Sequence, residues 1–256
     1  MPIIELSAKH ERWIVLVGLG LVVIAGLTAT LHVGDRLMMS QMSGGISGFS
    51  YAFLLFAMWW TMMMAMMLPS AAPAILTFAA VNRKLQVGTG AAARLTIFVS
   101  GYLLVWTGFA LAIVILQLLL QTKIDLSMMM AVASSAFGGG LLVAAGIYQI
   151  SPLKSACLRK CQTPLMYFTH HWKKDASGAF QMGLSHGLYC VGCCWVLMGL
   201  LFYGGVMEPR WILGLALYIA IEKLVPAGNR VSQFAGVLLI GWGLWTILRA
   251  VAVPLT

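Results

Sequence analysis

All five cysteines of this chain lie between positions 157 and 194. Cys157 and Cys161 fall in the run YQISPLKSACLRKCQTP, and Cys190, Cys193 and Cys194 in SHGLYCVGCCW. The first pair reads as part of a cytoplasmic loop after the fourth helix. The second group lies about 15 Å inside an apolar helix, counting 1.5 Å per residue from Phe180. Neither a reducing compartment nor the bilayer interior favours a disulfide, so these thiols are available to a metal. On a helix, His186, Cys190 and Cys193 fall within about 60° of one another, with Cys194 at the edge of that face. His186 and Cys190 form one i,i+4 pair, and Cys190 and Cys194 form another. His186 and Cys194 are about 12 Å apart along the axis and cannot share an ion. Either another helix completes the site, or the face is a ladder of adjacent two-ligand positions. A histidine in hydrocarbon requires a partner, which makes HxxxCxxCC the strongest metal signal in the chain.

Further soft donors lie in FAMWWTMMMAMMLPS, which holds Met58, Met62, Met63, Met64, Met66 and Met67. Met62 and Met66 share a helical face, as do Met63 and Met67. Counted inward from Tyr51, they begin about 17 Å from the outer surface, near the depth of Cys190. Thiolate, thioether and imidazole together select soft ions, Cu(I) above all. Zinc suits the set less well, because methionine adds little to its binding. Methionine is also an adaptable apolar filler, so the run taken alone reads as packing. Other methionines mark the outer surface: Met38, Met39, Met42 and Met128 to Met130. Glu222 has three possible roles: carboxylate ligand, proton acceptor or partner of a basic residue. An ion pair is the expectation, with Lys223 snorkelling from a helix end. His170 and His171, next to Trp172, Lys173 and Lys174, read as interfacial.

The elements that position these groups follow from composition. Of 256 residues, 61% are hydrophobic and 9% charged, with a mean hydropathy of +0.93. That predicts an all-α polytopic membrane protein, one transmembrane domain over residues 1–256. Seven spans are expected near 13–31, 51–80, 95–121, 126–150, 180–207, 211–226 and 232–253. The sixth is short, so six spans remain an alternative. The first, although it follows Lys9 and Arg12, is too long for a signal-peptide core and reads as a retained helix. Pro69 and Pro73 predict a kink or break in the second.

With the N-terminus cytoplasmic, 12 of the 16 basic residues fall in inner segments, against Arg36, Lys123, Arg210 and Arg249 outside. The net charge of +9 is thereby explained without a nucleic-acid partner. Gly138 to Gly140 with Ala144 and Ala145, and the pair Gly183 and Gly187, predict close helix packing.

Four stretches carry a resemblance: MWWTMMMAMMLP (58–69), YQISPLKSACLRKCQTP (148–164), GLSHGLYCVGCCWVLM (183–198) and GVMEPRWILGLALYIAIEK (205–223). The chain resembles a bacterial family of predicted metal-binding integral membrane proteins, a domain of unknown function. The resemblance implies metal binding, with Cys157, Cys161, His186, Cys190, Cys193, Cys194 and Glu222 as the positions to carry over. It implies no reaction or substrate. The chain departs from the family pattern at Gln162, where that pattern has arginine.

The expected function is Cu(I) handling in a bacterial cytoplasmic membrane, as transport or as delivery to a partner. The partners are then the lipid bilayer, the metal ion, and a metal donor, a metal acceptor or a larger membrane complex. Two alternatives are a copper-dependent membrane oxidoreductase and a structural subunit whose thiols are inert packing.

Overall fold

The computed structural model describes residues 17–18, 20–21, 23–37, 39, 48–85, 90–121 and 135–252. Met38, Met42, Met128 to Met130, the start of the 13–31 segment and the first part of 126–150 lie outside them. Helix is the only regular secondary structure among the described residues. A first helix, α1, covers residues 23–37. It is followed by α2 (Phe49–Lys84), α3 (Ala91–Leu120), α4 (Ser135–Ile150), α5 (Pro152–Gln162) and α6 (Pro164–His171). Then come α7 (Ala176–Gly199), α8 (Leu201–Gly204), α9 (Pro209–Leu224) and α10 (Gly228–Ala252).

Among the described residues, four stretches are long and apolar enough to cross a membrane: α2, α3, α7 with α8, and α10; the bent pair α4–α5 would make a fifth. The α9 helix has 16 residues, about 24 Å of rise, which is short of a ~30 Å hydrocarbon layer. The α2 helix runs unbroken through Pro69 and Pro73, so the expected break does not occur.

Prolines instead begin three helices, at the position where a missing N–H costs nothing. Pro152 follows Ser151, whose Oγ accepts from the Lys154 N–H at 3.2 Å and caps α5. Ser151 is non-helical, as a residue before proline tends to be, and the axes of α4 and α5 differ by 63°. Cys157 and Cys161 therefore stand on a helix, and not in the loop expected from sequence. Pro164 opens α6 and Pro209 opens α9 in the same way.

The chain divides into two compact units. The first comprises residues 1–111 and 163–188. In it Gly26 of α1 lies against Ala65 and Thr61 of α2, and the Thr30 and Thr61 hydroxyls meet at 3.0 Å. Its core includes Phe78 stacked on Phe98 at 4.4 Å, with Phe168 edge-on to both. The α3 and α7 backbones touch: a Cβ on Gly101 would lie 2.5 Å from the Phe180 carbonyl, and one on Gly183 would overlap the Phe98 carbonyl. Gly187 packs on Val105. The expected GxxxG is thus a helix contact.

The second unit comprises residues 112–162 and 189–256. Here α4 and α10 cross at glycines on both sides. A Cβ on Gly146 would lie 2.6 Å from the Gly236 carbonyl, and one on Gly243 2.7 Å from the Gly139 carbonyl. Gly139 fulfils the packing expectation, whereas Gly140 faces open space.

Candidate metal centre

Five thiols and the residues around them are built by α4, α5, α7 and α9 of the second unit. Cys190, Cys193 and Cys194 are buried on α7, and Cys157 and Cys161 are half-buried on α5. Helical spacing brings Cys190 beside Cys194, and Cys193 beside both Cys194 and Cys161 across from α5. Gly192 makes this approach possible, since a Cβ there would lie 2.9 Å from the Cys157 Sγ. The Cys193 and Cys194 thiols donate to the Cys190 carbonyl at 3.1 and 3.0 Å. Among the described residues, no three His, Cys, Asp or Glu side chains converge as a ready-made metal site. The thiols form a file of contacting pairs, Cys161 to Cys193 to Cys194 to Cys190.

Lys223 stands at one end of the file. It is buried, and its Nζ donates to the Cys190 Sγ at 3.0 Å, so it does not snorkel to a surface. The neighbouring Glu222 faces a different cluster. Its carboxylate accepts from Lys154 Nζ at 2.8 Å through both oxygens, and from Gln149 Nε2 at 3.0 Å. Tyr218 donates its hydroxyl to the same carboxylate. Gln149 in turn accepts from Lys154. Glu222 is therefore engaged as an ion-pair partner, as expected.

Three basic residues of the inner-segment tally, Arg94, Lys154 and Lys223, prove to be buried. Gln162 donates to the Glu222 and Val225 carbonyls at 2.7 and 3.1 Å and caps the end of α9. The Tyr148 hydroxyl donates to the Gly192 carbonyl, tying α4 to the cysteine helix.

The remaining candidates belong to the first unit. His186 is buried on α7, its ring 6.4 Å from Phe98 and 5.9 Å from Tyr102. Met62 and Met66 are buried on α2 together with Met58, Met63, Met64 and Met67. A methionine run buried on every side is what adaptable core filling looks like.

Lys154, Gln149, Tyr218 and the thiol contact of Lys223 were not singled out from sequence. The available signal was SPLKSAC, where a lysine follows a capped proline start in the first turn of a helix. Such a lysine points back over its own first turn.

The donor chemistry fits copper as cargo. Thiols arranged in pairs are soft donors of the kind that copper accepts. No curated protein and no solved structure matches the chain. A family model described as a copper chaperone, PpoB2, matches residues 56–246, a stretch that contains all five cysteines and Met62 and Met66. The chain thus belongs to the PpoB2 copper chaperone family.

Proposed function

We propose that this protein is a membrane-embedded chaperone that takes up Cu(I) on the thiol file of α5 and α7 and passes it to an acceptor protein. One observation carries the reading: the file leads from buried Cys190 and Cys194, through Cys193, to half-buried Cys161 with Cys157 on the same helix. Cu(I) is content with a pair of thiolates, so adjacent pairs offer successive positions between which the ion moves by exchanging one ligand at a time. On binding, each ligating thiol gives up its proton. Cys193 and Cys194 then exchange a weak bond to the Cys190 carbonyl for the metal. Burial protects the inner pair from oxidation, while the α5 thiols present the ion to a partner.

The membrane setting rests on the apolar helices. With the three buried basic residues set aside, nine inner basic residues still stand against four outer ones. This favours a cytoplasmic N-terminus and a place for α5 on the cytoplasmic side. A bacterial cytoplasmic membrane is the corresponding location.

The test is metal content by mass spectrometry on protein purified in mild detergent under reducing conditions. It would be run beside the triple variant Cys190→Ser, Cys193→Ser, Cys194→Ser and the variant Cys161→Ser. Copper bound by the wild type and lost in the triple variant is the expected result. Cys161→Ser should keep copper but release it more slowly to a soluble Cu(I) chelator. Wild-type copper content in the triple variant would refute the reading.

A further inference from the structure

In the first unit, polar atoms without partners gather where α2, α3 and the residues after α6 meet. Arg94 is 7% exposed and stands in the first turn of α3. Its Nη2 donates to the Lys173 carbonyl at 2.7 Å, and its Cζ lies 5.3 Å from the centre of the Trp172 ring. Among the described residues, Arg94 Nε, Arg94 Nη1 and Trp172 Nε1 are buried with no acceptor. Asp175 lies in the field of Arg94, but its carboxylate accepts from the Ser177 hydroxyl and the Gly178 N–H instead. Asn82, 2% exposed near the end of α2, donates through Nδ2 to the Ala91 carbonyl at 3.0 Å, one turn before Arg94. Its Oδ1 is buried with no donor.

Buried polar groups are nearly always paired, so four unpaired ones within a turn of each other call for a ligand. Three of the four are donors. A cation in the first turn of a helix also stands at the end whose dipole disfavours it, and an anion there relieves both costs. Arg83 and Lys84, in the last turn of α2, add to the positive field. We propose that Arg94, Trp172 and Asn82 bind a phosphate group that carries a hydroxyl. The phosphate oxygens accept from the guanidinium and the indole, a pairing for which arginine is well suited. The hydroxyl donates to Asn82 Oδ1, which a carboxylate ligand would leave unpaired. Such a group has two sources, a phosphatidylglycerol headgroup and free hydrogen phosphate. On the topology proposed above this end of α3 is cytoplasmic, the side on which basic pockets recognise anionic headgroups. The site is independent of the thiol reading.

The experiment uses the full-length chain in mild detergent and phosphate-free buffer. Native mass spectrometry measures retention of phosphatidylglycerol against phosphatidylcholine of the same acyl chains, and calorimetry measures binding of inorganic phosphate. The wild type should hold about one phosphatidylglycerol with at least a tenfold preference, which Arg94→Gln abolishes. Trp172→Phe removes only the indole donor and keeps a ring beside Phe78, whose centre lies 5.2 Å from that of Trp172. It should weaken binding about threefold or more at an unchanged thermal midpoint, and it carries the test if Arg94→Gln does not fold. Inorganic phosphate bound by the wild type and lost in the variants, with no lipid preference, would support the site and name free phosphate as its source. No binding of either probe to the wild type overturns the proposal and leaves the donors to water. Binding unchanged in every variant that keeps the wild-type midpoint overturns it as well.

Discussion

Replacing Glu222 by glutamine removes one charge from a buried pair and little else. The side chains of Lys154 and Glu222 are 1% and 2% exposed, and Nζ lies 2.8 Å from the carboxylate. The amide that replaces the carboxylate would keep an oxygen to accept from Tyr218 and Gln149, while its NH2 takes the place of one of the two oxygens that accept from Lys154. What changes is that the Lys154 ammonium is left uncompensated away from water. Breaking a buried pair from one side costs about 3–5 kcal/mol. At roughly 2–4 °C per kcal/mol for a chain of this size, the thermal midpoint should fall by about 10 °C. The double variant Lys154→Met, Glu222→Gln removes the stranded charge and should recover to within about 2 kcal/mol of wild type. Thermal unfolding in mild detergent, read by a thiol-reactive fluorophore, suits the problem because Cys190, Cys193 and Cys194 are buried until the fold opens. A wild-type midpoint for Glu222→Gln, or a double variant no better than the sum of the single ones, would refute the argument. The pair joins the start of α5 to the end of α9, so its loss should also loosen the elements that carry Cys161 and Lys223.

Three further outcomes follow from particular contacts. Gly146→Val drives a side chain against the Gly236 carbonyl and should cost about 2 kcal/mol or more, whereas Gly140→Ala meets nothing and should be neutral or stabilising by up to about 1 kcal/mol; the same thermal assay distinguishes them. Tyr148→Phe removes the hydroxyl held by the Gly192 carbonyl and should cost about 1 kcal/mol, with faster alkylation of Cys193 as the local readout. Asp175 precedes α7 and accepts from the Ser177 hydroxyl and from the Gly178 N–H at 3.2 Å, which holds its carboxyl below the usual carboxylate range. A value lowered in the folded state gives stability that is present above the unfolded value of about 3.9 and is lost as pH falls through the folded one. The midpoint difference between wild type and Asp175→Ala should therefore shrink as pH drops from about 7 toward about 3, and a difference independent of pH would count against the cap.

Much of the architecture was legible from residue order alone, since an all-helical chain with long apolar segments follows from composition and period. The neighbourhood of Cys190, Cys193 and Cys194 was legible because helix geometry is local: 100° and 1.5 Å per residue place them together whatever the fold. Prolines were read less well. Pro69 and Pro73 suggested a break where α2 runs on, while Pro152 was passed over where it starts a helix. A proline's effect depends on whether neighbouring residues supply a cap, as Ser151 does.

Only tertiary structure could decide which partners meet across helices. Cys161 with Cys193, Lys154 with Glu222 and Lys223 with Cys190 are separated by 32 to 68 positions in sequence. No periodicity encodes such pairings. A buried lysine looks the same in a hydropathy count as one in a basic loop, and its charge is read correctly only when the group it faces is known. The sequence by itself determined the donor types and their order along each helix. The fold decided that they form a file of pairs with a cation at one end, because that arrangement depends on how α5, α7 and α9 pack.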